Sequence, residues 1–274
     1  MSDEAAAILE LAERLAREAG RIQRENYEGE FEIQTKSAVI DLVTDVDRAC
    51  ERLIVDGIRA QRPEDAILAE EGGGTDAPAA GWRWVIDPLD GTTNYAHGYP
   101  RFCVSIGIEQ RGVATLGVVY DPLLDELFSA VRGRGAILND RPLQVSAETR
   151  LDHAMLATGF AYDVHRSVED NLDHFSTFVK AARAIRRDGS AALDLCYVAA
   201  GRFDGYWEIK LHPWDVAAGL LMVEEAGGRT SDFSGRQSCA SGREIVVSNA
   251  HLHEAMLELL QRQGVANHSE LPQR

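Results

Sequence analysis

The 274-residue sequence predicts a mixed fold, α+β over residues 1–147 and α/β over residues 148–264, followed by a tail at 265–274. Three patterns lead to this prediction. Apolar residues at helical spacing open the chain, β segments broken by Gly-rich turns fill its middle, and helices alternate with strands after about residue 150. The chain is long enough for one large domain or two coupled subdomains with a substantial core.

The elements of the first half follow from local patterns. Residues 3–26 form an amphipathic helix, and a second helix, capped by Thr44 and closed by Pro63, follows a short strand in "VIDLVTDVDRACERLIVDGIRAQRP". Two strands, "AILA" and "WRWVI", lead into acidic residues. We expect an antiparallel meander in "FCVSIGIEQRGVATLGVVYDPLLDELFSAVRGRGAILNDRPLQV", because β segments there alternate with Gly-rich turns.

The second half alternates helices and strands, which is typical of an α/β arrangement. The pattern predicts a strand at "AMLATGF" and a helix at "SVEDNLDHFSTFVKAAR". A helix and then a strand are expected in "ALDLCYVAAGRFDGYWEI", and a helix ended by glycines in "WDVAAGLLMVEEAGG". A last strand, "REIVVSNA", precedes a final helix, "HLHEAMLELLQRQ".

The composition limits the possible classes of protein. The chain is 45% hydrophobic and 26% charged, which is ordinary for a globular protein, and its net charge of −16 disfavours binding to nucleic acid or to anionic membranes. No apolar run approaches the ~20 residues of a membrane span, and no basic, then apolar leader opens the chain. Cys50, Cys103, Cys196 and Cys239 lie far apart, so we expect reduced thiols and a cytoplasmic protein.

Acidic residues follow several of the predicted elements. Glu70 and Glu71 come after "AILA", Asp87 ends "WRWVI", and Asp90 follows three residues later. Asp215 lies at the start of the helix "WDVAAG". If these ends meet at one edge of a layered fold, their carboxylates repel strongly in a low dielectric. A hard divalent cation resolves that conflict, and ligands that are all oxygen favour Mg²⁺, Mn²⁺ or Ca²⁺ over zinc.

The segment "DPLDGT" fits such a cation site. Pro88 fixes its own φ and biases Asp87 toward an extended conformation, after which the chain turns and the Leu89 carbonyl can face the same point. Free amides of Gly91 and Thr92 at a helix start would add an anion site beside the cation. A solvated hairpin turn is the alternative for "DG" alone. The following "NYAHGYP" does not alternate like a partner strand, so the metal site is favoured.

Two longer segments carry a family resemblance. "WVIDPLDGTTNYAHGYP" and "WDVAAGLLMVEEAGG" resemble the two signatures of the inositol monophosphatase family, a member of the Mg²⁺-dependent, lithium-sensitive sugar-phosphatase superfamily. "TKSAVIDLVTDVD", "AEEGG", "GVVYDPLLDELFSAVRGRGAILN" and "GSAALDLCYVAAGRFDGYWE" also fit in order, so the likeness to bacterial members covers nearly the whole chain. It implies a layered αβαβα sandwich of the sugar-phosphatase type and hydrolysis of a polyol or sugar phosphate such as myo-inositol 1-phosphate.

The resemblance implies two to three Mg²⁺ ions per subunit. One would be held by Glu70, Asp87 and the Leu89 carbonyl, and a second by Asp87, Asp90 and Asp215. A third, weaker ion would use Glu70 and mostly water. The first half of the chain would therefore carry most of the metal ligands, with one ligand in the second half. In an extended segment Glu71 points away from Glu70, so it ranks below Glu70.

Three further residues match family positions close to the reaction. Thr92 matches the threonine that hydrogen-bonds the attacking water, and Asp47 matches its partner, so the resemblance gives Glu70, Thr92 and Asp47 catalytic roles. The alternative for Asp47 is purely structural, since Thr44-x-x-Asp47 also has the spacing of a capping box. Lys36 matches a lysine in a mobile loop near the metals and would otherwise be an ordinary surface lysine.

The substrate alcohol is expected to contact the second half. Glu208 matches the acid that accepts a hydrogen bond from a substrate hydroxyl, and Gly189, Ser190 and Ala191 match a helix start whose backbone faces the sugar. A simple Gly-Ser helix cap is the alternative for that stretch. Lys210 stands where a small or neutral residue is expected, which leaves the preferred alcohol open.

Competing functions remain within and outside the enzyme class. Histidinol phosphate, fructose 1,6-bisphosphate and 3′,5′-bisphosphorylated nucleosides are rival substrates, but Arg186 and Arg187 are the only close basic pair near the predicted substrate helix, so a monophosphate is favoured. A protein partner of the transcription machinery and a cation-binding protein without turnover are the non-enzymatic alternatives. The resemblance also implies a homodimer and inhibition by Li⁺.

Overall fold

The structure is a computed structural model that describes residues 1–29, 32–35, 42–74, 81–237 and 243–266. Its helices are α1 (Asp3–Asn26), α2 (Asp45–Gln61), α3 (Thr92–Ala96), α4 (Leu172–Ala181), α5 (Ala191–Ala199), α6 (Pro213–Glu225) and α7 (His253–Ala266), with a 3₁₀ turn at Leu151–His153. Its strands are β1 (Ile33–Thr35), β2 (Leu42–Thr44), β3 (Ala66–Ala69), β4 (Gly73–Gly74), β5 (Trp82–Asp90), β6 (Cys103–Gln110), β7 (Val113–Asp121), β8 (Glu126–Val131), β9 (Gly135–Leu138), β10 (Arg141–Pro142), β11 (Met155–Thr158), β12 (Ala184–Arg186), β13 (Gly205–Ile209), β14 (Arg229–Ser231) and β15 (Glu244–Ser248).

Two large sheets organise most of these elements, while β1 and β2 form a separate antiparallel pair. The larger sheet has eight strands in the order β10-β9-β8-β7-β6-β5-β3-β4, and the antiparallel meander predicted from the sequence is confirmed from β6 to β10. Only the β3–β5 pairing of that sheet is parallel among the described strands. The smaller sheet has the order β12-β11-β13-β15-β14, with β11 parallel to both of its neighbours.

Helices cover both sheets and complete a layered sandwich. Helices α1 and α2 pack on one face of the larger sheet, and α5 and α6 lie between the two sheets. Helices α4 and α7 cover the outer face of the smaller sheet. The layer order is therefore αβαβα, which confirms the predicted fold class. The division of the chain near residue 147 stays a prediction, because the apolar cluster around α5 and α6 draws side chains from both sheets.

The first two helices are both capped at their starts, and the cap of the second, Thr44, is the one that the sequence predicted. Ser2 Oγ accepts a hydrogen bond from Ala5 N at the start of α1. Thr44 caps α2, and its backbone N donates to Asp47 Oδ2 at 2.9 Å, so the capping box is present. These caps satisfy backbone donors that a helix start leaves without partners.

Two helix boundaries differ from the sequence prediction. Helix α4 begins at Leu172 rather than at Ser167, because Asn171 adopts a left-handed φ of 67° and its side chain bonds to Thr158 at the end of β11. Helix α7 continues to Ala266, so the predicted tail at 265–274 begins too early. The rest of that tail lies outside the described residues.

Two expectations on cysteines and membranes can be compared with the structure. Cys50, Cys103 and Cys196 are buried free thiols, while Cys239 lies outside the described residues. In the part of the chain that the structure describes, every helix is too short or too polar to cross a bilayer.

The first residue of α7, His253, makes stability depend on pH. It is fully buried, and its ring nitrogens lie 2.8 Å from Ser231 Oγ and 3.0 Å from Ser248 Oγ. Burial lowers the pKa of His253 from 6.5 to about 4. Below pH 6.5 the His253 side chain becomes protonated in the unfolded chain, but it stays neutral in the folded protein. Protonation therefore favours unfolding, and the free energy of unfolding decreases as pH falls from 6.5 toward 4.

We expect His253→Gln to flatten the acid side of the stability curve, because Gln stays neutral. Urea unfolding free energies measured from pH 7.5 down to about 4.5 should fall more steeply for the wild type, by at most ~1.4 kcal/mol per pH unit from this group. Parallel curves for the two proteins would contradict this assignment.

Candidate active site

The predicted site residues meet in one cavity of about 220 Å³. It lies where β3, β5 and β13 end and where α3, α5 and α6 begin. The predicted residues that line it are Glu70, Asp87, Leu89, Asp90, Gly91, Thr92, Gly189, Ser190, Ala191, Glu208 and Asp215. Asp47 lies behind Thr92, while Lys36 is outside the described residues, so its predicted role is a matter of the resemblance alone.

A bulge in β5 brings Asp87 and Asp90 to the same cavity. The strand does not end at Asp87, as the sequence suggested, but continues to Asp90, and its pairing with β6 shifts register between them. Pro88 lies inside this shift, since it has no N–H to give to the ladder. The Pro88 carbonyl accepts a hydrogen bond from Gln23 Nε2 at 2.8 Å, and the Leu89 side chain is buried in the core.

Gly91 makes the turn into α3 possible. Its φ is +96°, and a β-carbon there would lie 2.7 Å from the Arg101 carbonyl oxygen. Helix α3 has five residues, Thr92–Ala96, so its start offers local N–H donors rather than the dipole of a long helix. The predicted anion site would therefore consist of the backbone amides around Gly91 and Thr92.

Asp90 joins the two halves of the molecule. Its Oδ2 accepts hydrogen bonds from Ser190 Oγ at 2.7 Å and from Ala192 N at 2.8 Å, and so caps α5 from across the cavity. Ser190 does occupy the N-cap position of α5, but its hydroxyl bonds to Asp90 rather than to an amide of its own helix. Helix α5 therefore depends on an acidic residue a hundred positions earlier in the chain.

Asp215 is fixed by the first turn of α6. Pro213 occupies the first turn, and the Asp215 Oδ2 atom accepts a hydrogen bond from His212 N at 2.6 Å. The His212 ring stacks on Trp214, with 4.8 Å between ring centroids. His212 thus supports the cavity wall through its backbone and through ring packing.

Burial and mutual repulsion dominate the electrostatics of the carboxylates. Burial raises the pKa of Asp87 well above its usual range, and the charges of Glu70, then Asp90 and Asp215, raise it further. Burial likewise raises the pKa of Asp90 and of Asp215, and for Asp215 the charge of Asp90 is the next cause. The donor set fits a hard divalent cation, which would restore the ionised form of each group.

The carboxylates are not gathered into a finished metal site. Among the described residues, no three acidic, histidine or cysteine side chains lie close enough together to hold a metal ion. The predicted cluster is therefore looser than expected. Protein donors hold one oxygen of each carboxylate of Asp87, Asp90 and Asp215.

Thr92 and Asp47 are in contact, as the resemblance implied. Thr92 Oγ1 lies 3.0 Å from Asp47 Oδ1 and 3.0 Å from the Leu89 carbonyl. The other Asp47 oxygen is held by the Thr44 hydroxyl and amide, so the capping box also orients the carboxylate toward Thr92. Burial raises the pKa of Asp47. The structural and the catalytic interpretations of Asp47 are compatible.

Glu208 lies on the alcohol side of the cavity in a close-fitting pocket. The Tyr206 hydroxyl donates to its carboxylate, and a β-carbon on Gly159 would lie 2.2 Å from Oε2. Burial raises the pKa of Glu208 to about 7, while the bond from Tyr206 and the charge of Arg187 act in the opposite direction. Glu208 is thus held in one position and titrates near neutral pH.

Several residues that line this cavity were not predicted from the sequence. Asp194 is buried, and its Oδ1 has no hydrogen-bond partner among the described residues. Burial raises the pKa of Asp194 well above its usual range. The available signal was a single acid in the otherwise apolar helix "AALDLCYVA". Phe160 and Tyr162, which also line the cavity, lie in a segment where the sequence carried no motif.

We expect Gly91→Ala to destabilise the protein beyond the cost of its φ alone. Gly112 is a matched control, because its φ is +76° and a β-carbon there meets nothing within 4 Å. Gly112→Ala should lower the free energy of unfolding by about 1–2 kcal/mol, and each kcal/mol lowers the melting temperature by about 2–4 °C. Gly91→Ala should lower both clearly more. Equal shifts for the two variants would show that the Arg101 contact is unimportant.

Comparison with known proteins agrees with this geometry. The chain matches the inositol monophosphatase family over residues 4–264. It is 45% identical over 229 residues to an inositol-1-monophosphatase of Synechocystis, covering 84% of this chain and 80% of that one. It is 43% identical over 251 residues to the Nus factor SuhB of Escherichia coli, covering 91% and 94%.

Solved structures extend the comparison to the backbone. An inositol monophosphatase from Anabaena (Nostoc) superposes with a TM-score of 0.85 at 39% identity, covering 94% of this chain and 97% of that one. The extragenic suppressor protein SuhB from Bartonella henselae superposes with a TM-score of 0.87 at 38% identity, covering 93% and 99%. The chain belongs to the inositol monophosphatase family.

Proposed function

We propose that this protein hydrolyses the phosphate monoester of a polyol or sugar in a Mg²⁺-dependent reaction, with myo-inositol 1-phosphate as the foremost substrate. The observation that carries the proposal is one cavity lined by Glu70, Asp87, Asp90 and Asp215, in which burial raises the pKa of the three aspartates and neighbouring charges add to this for Asp87 and Asp215. Membership of the inositol monophosphatase family supports phosphatase activity on a small phosphate ester.

The proposed cation ligands are Glu70, Asp87, Asp90, Asp215 and the Leu89 carbonyl oxygen, for two to three Mg²⁺ ions. Bound Mg²⁺ would supply Lewis-acid polarisation of the phosphoryl group, a lower pKa for a bound water and stabilisation of the leaving alkoxide. Within the cavity the protein itself contributes carboxylates whose backbone is fixed by the β5 bulge and by the first turn of α6.

Thr92 and Asp47 are proposed to orient the attacking water. The Thr92 hydroxyl is placed to accept a hydrogen bond from water while it donates to Asp47 Oδ1. Thr44 holds Asp47 from the other side, so the threonine hydroxyl keeps one orientation. Glu70, which follows β3 at the cavity edge, is the third member of the proposed catalytic set.

The phosphate and the alcohol are proposed to bind at opposite sides of the carboxylates. Amides of Gly91 and Thr92 would donate to phosphate oxygens, and the resemblance adds Lys36 on this side. Glu208 and the helix start at Gly189, Ser190 and Ala191 would face the alcohol hydroxyls. The match of Glu208 to a hydroxyl acceptor is supported by its burial, since a fixed carboxylate loses little entropy on binding.

We expect Asp87→Asn to abolish phosphate release, because Asp87 is proposed to bridge two cations. The wild type should release inorganic phosphate from myo-inositol 1-phosphate with Mg²⁺, and Asp152→Asn, a matched change at an exposed aspartate, should behave like the wild type. Mg²⁺ binding measured by calorimetry should weaken in Asp87→Asn alone.

Two results would overturn the proposal. Near-normal turnover of Asp87→Asn would remove the basis of the metal site. Mg²⁺ binding by the wild type without release of phosphate from a panel of sugar, polyol, amino-alcohol and bisphosphate esters would favour a cation-binding protein without turnover. Faster release from histidinol phosphate or a bisphosphate would keep the reaction but change its substrate.

Li⁺ should inhibit the wild-type enzyme, as the family resemblance implies. Asp87, Asp90 and Asp215 would hold the cation that a small monovalent ion such as Li⁺ can replace. Phosphate release measured against rising Li⁺ at fixed Mg²⁺ tests this, with K⁺ at equal ionic strength as control. Full activity at high Li⁺ would indicate an altered second cation site.

A second candidate function is a protein contact with the transcription machinery. Relatives of 42–45% identity that cover more than nine-tenths of the chain carry the name Nus factor SuhB. The net charge of −16 favours a basic protein surface over direct contact with RNA. Pull-down of purified RNA polymerase by the Asp87→Asn protein would separate this role from catalysis. If the polymerase were not retained, a contact with the transcription machinery would be excluded.

We also propose that the chain forms a homodimer, on the family resemblance. Light scattering after gel filtration should then give twice the chain mass of 30.1 kDa. A monomer mass at micromolar concentration would contradict this part of the proposal.

Glu208 is expected to determine the preference for the alcohol. Removing it leaves substrate hydroxyls without a charged partner, a loss of about 1.5–3 kcal/mol or roughly one to two decades in kcat/KM. Glu208→Ala should therefore impair myo-inositol 1-phosphate and spare a generic aryl phosphate. Because its pKa is about 7, the preference of the wild type should fall as pH drops below 7, whereas Glu208→Gln should show no such change.

Steady-state kinetics on both substrates between pH 6 and 8.5 would decide this. Equal losses on both substrates would mean that Glu208 supports the fold or the cation site, and its role in recognition would have to be withdrawn.

A further inference from the structure

Lys210 adopts a backbone conformation that lysine rarely takes. Its φ of +61° lies in the left-handed region, which favours glycine. Its Nζ lies 2.8 Å from Asp163 Oδ2 and 2.6 Å from Ser167 Oγ, two side chains more than forty positions earlier in the chain. The unfavourable backbone therefore coincides with two long-range polar contacts.

Asp163 and Ser167 belong to a loop whose two ends, its neck, are joined by hydrogen bonds. Residues 159–170, named here the rim loop, connect β11 to α4 without regular secondary structure. Asn171 closes the neck, since its Nδ2 donates to the Gly159 carbonyl at 2.8 Å and to Thr158 Oγ1 at 3.0 Å. Its Oδ1 accepts from Trp207 Nε1 at 2.9 Å, and Asn171 itself is only 4% exposed.

The rim loop forms an apolar wall of the cavity beside Glu208. Gly159, at its root, lies directly against the Glu208 carboxylate, and Lys210, two positions after Glu208, is tied to its flank. Phe160 and Tyr162 line the cavity, and Phe160 packs edge-on against Phe175 of α4 with 5.6 Å between centroids. The end of β13 thus positions both the hydroxyl acceptor, Glu208, and, through Lys210, the aromatic wall.

We propose that the rim loop selects the alcohol of the substrate and that Lys210 is the positioning residue that holds it. This inference rests on the proposed phosphatase function. The favoured class is a cyclic polyol, which presents a hydroxyl edge to Glu208 and an apolar ring face to Phe160 and Tyr162. A short open-chain alcohol cannot contact both walls at once, so it gains little from the loop position.

Limited proteolysis tests the contact of Lys210 with Asp163, named here the tie, without a measurement of activity. Arg166 lies in the rim loop and is exposed, so trypsin can cleave after it when the loop opens. Cleavage there, followed by mass spectrometry, should be faster in Lys210→Gly and in Asp163→Asn than in the wild type. It should be unchanged in Lys180→Ala, which removes an exposed lysine from α4. An unchanged rate in Lys210→Gly would overturn the tie.

Kinetics on two secondary-alcohol phosphates test the selection. Lys210→Gly and Asp163→Asn should each lower kcat/KM for myo-inositol 1-phosphate about three- to tenfold, mainly through KM, as expected for one charge-assisted hydrogen bond. The loss on glycerol 2-phosphate should stay below twofold. The double variant should lose no more than Lys210→Gly alone, because that variant already removes the contact with Asp163. Lys210→Arg, which keeps the cation, should restore most of the preference.

The outcomes separate the two proposals. A wild type that releases no phosphate from either ester with Mg²⁺ overturns the proposed function, while the proteolysis result still stands for or against the tie. An active wild type whose preference for the ring substrate survives Lys210→Gly within twofold overturns the selection. Additive losses in the double variant would overturn the assignment of Asp163 as the partner.

Discussion

Repulsion between buried carboxylates is the constraint on which the structure of this protein depends. Asp87, Asp90 and Asp215 lie in one cavity with Glu70, and burial raises the pKa of each aspartate, while neighbouring carboxylate charges raise the pKa of Asp87 and Asp215 further. A fold arranged for stability alone would not bring these groups together, since an uncompensated buried charge is costly. The arrangement is consistent with a site that a hard cation completes.

The surrounding fold keeps these groups in place with backbone donors. The Leu89, Ala192 and His212 amides each donate to one of the three aspartates, so each carboxylate also closes a turn or a helix start. The αβαβα layering makes this possible, because the ends of the larger sheet and the starts of α5 and α6 meet at one edge. Stability and site geometry are thus coupled through the same hydrogen bonds.

Local patterns in the sequence were sufficient for most helices, for the antiparallel meander and for the acidic residues at the ends of the elements, whereas the layer order and the alcohol side of the cavity followed from the family resemblance. Helix α1 has the predicted bounds, and the Thr44–Asp47 capping box is present, because both follow from residues a few positions apart. Contacts between distant segments were not predictable in this way. The bond between Ser190 and Asp90 and the tie of Lys210 to Asp163 depend on tertiary packing, which spacing along the chain does not encode.

Thermal unfolding of the wild type and of Asp87→Asn, each with EDTA and with Mg²⁺, tests the central claim most directly. In the wild type, Leu89 N donates a hydrogen bond to Asp87 Oδ1 at 3.0 Å, and the Asn side chain keeps an oxygen that can accept it. The change therefore removes the charge and preserves this contact. We expect metal-free Asp87→Asn to melt at a higher temperature than the metal-free wild type, and Mg²⁺ to stabilise the wild type far more than the variant. A metal-free variant that melts at or below the wild type, with no response of either protein to Mg²⁺, would contradict it.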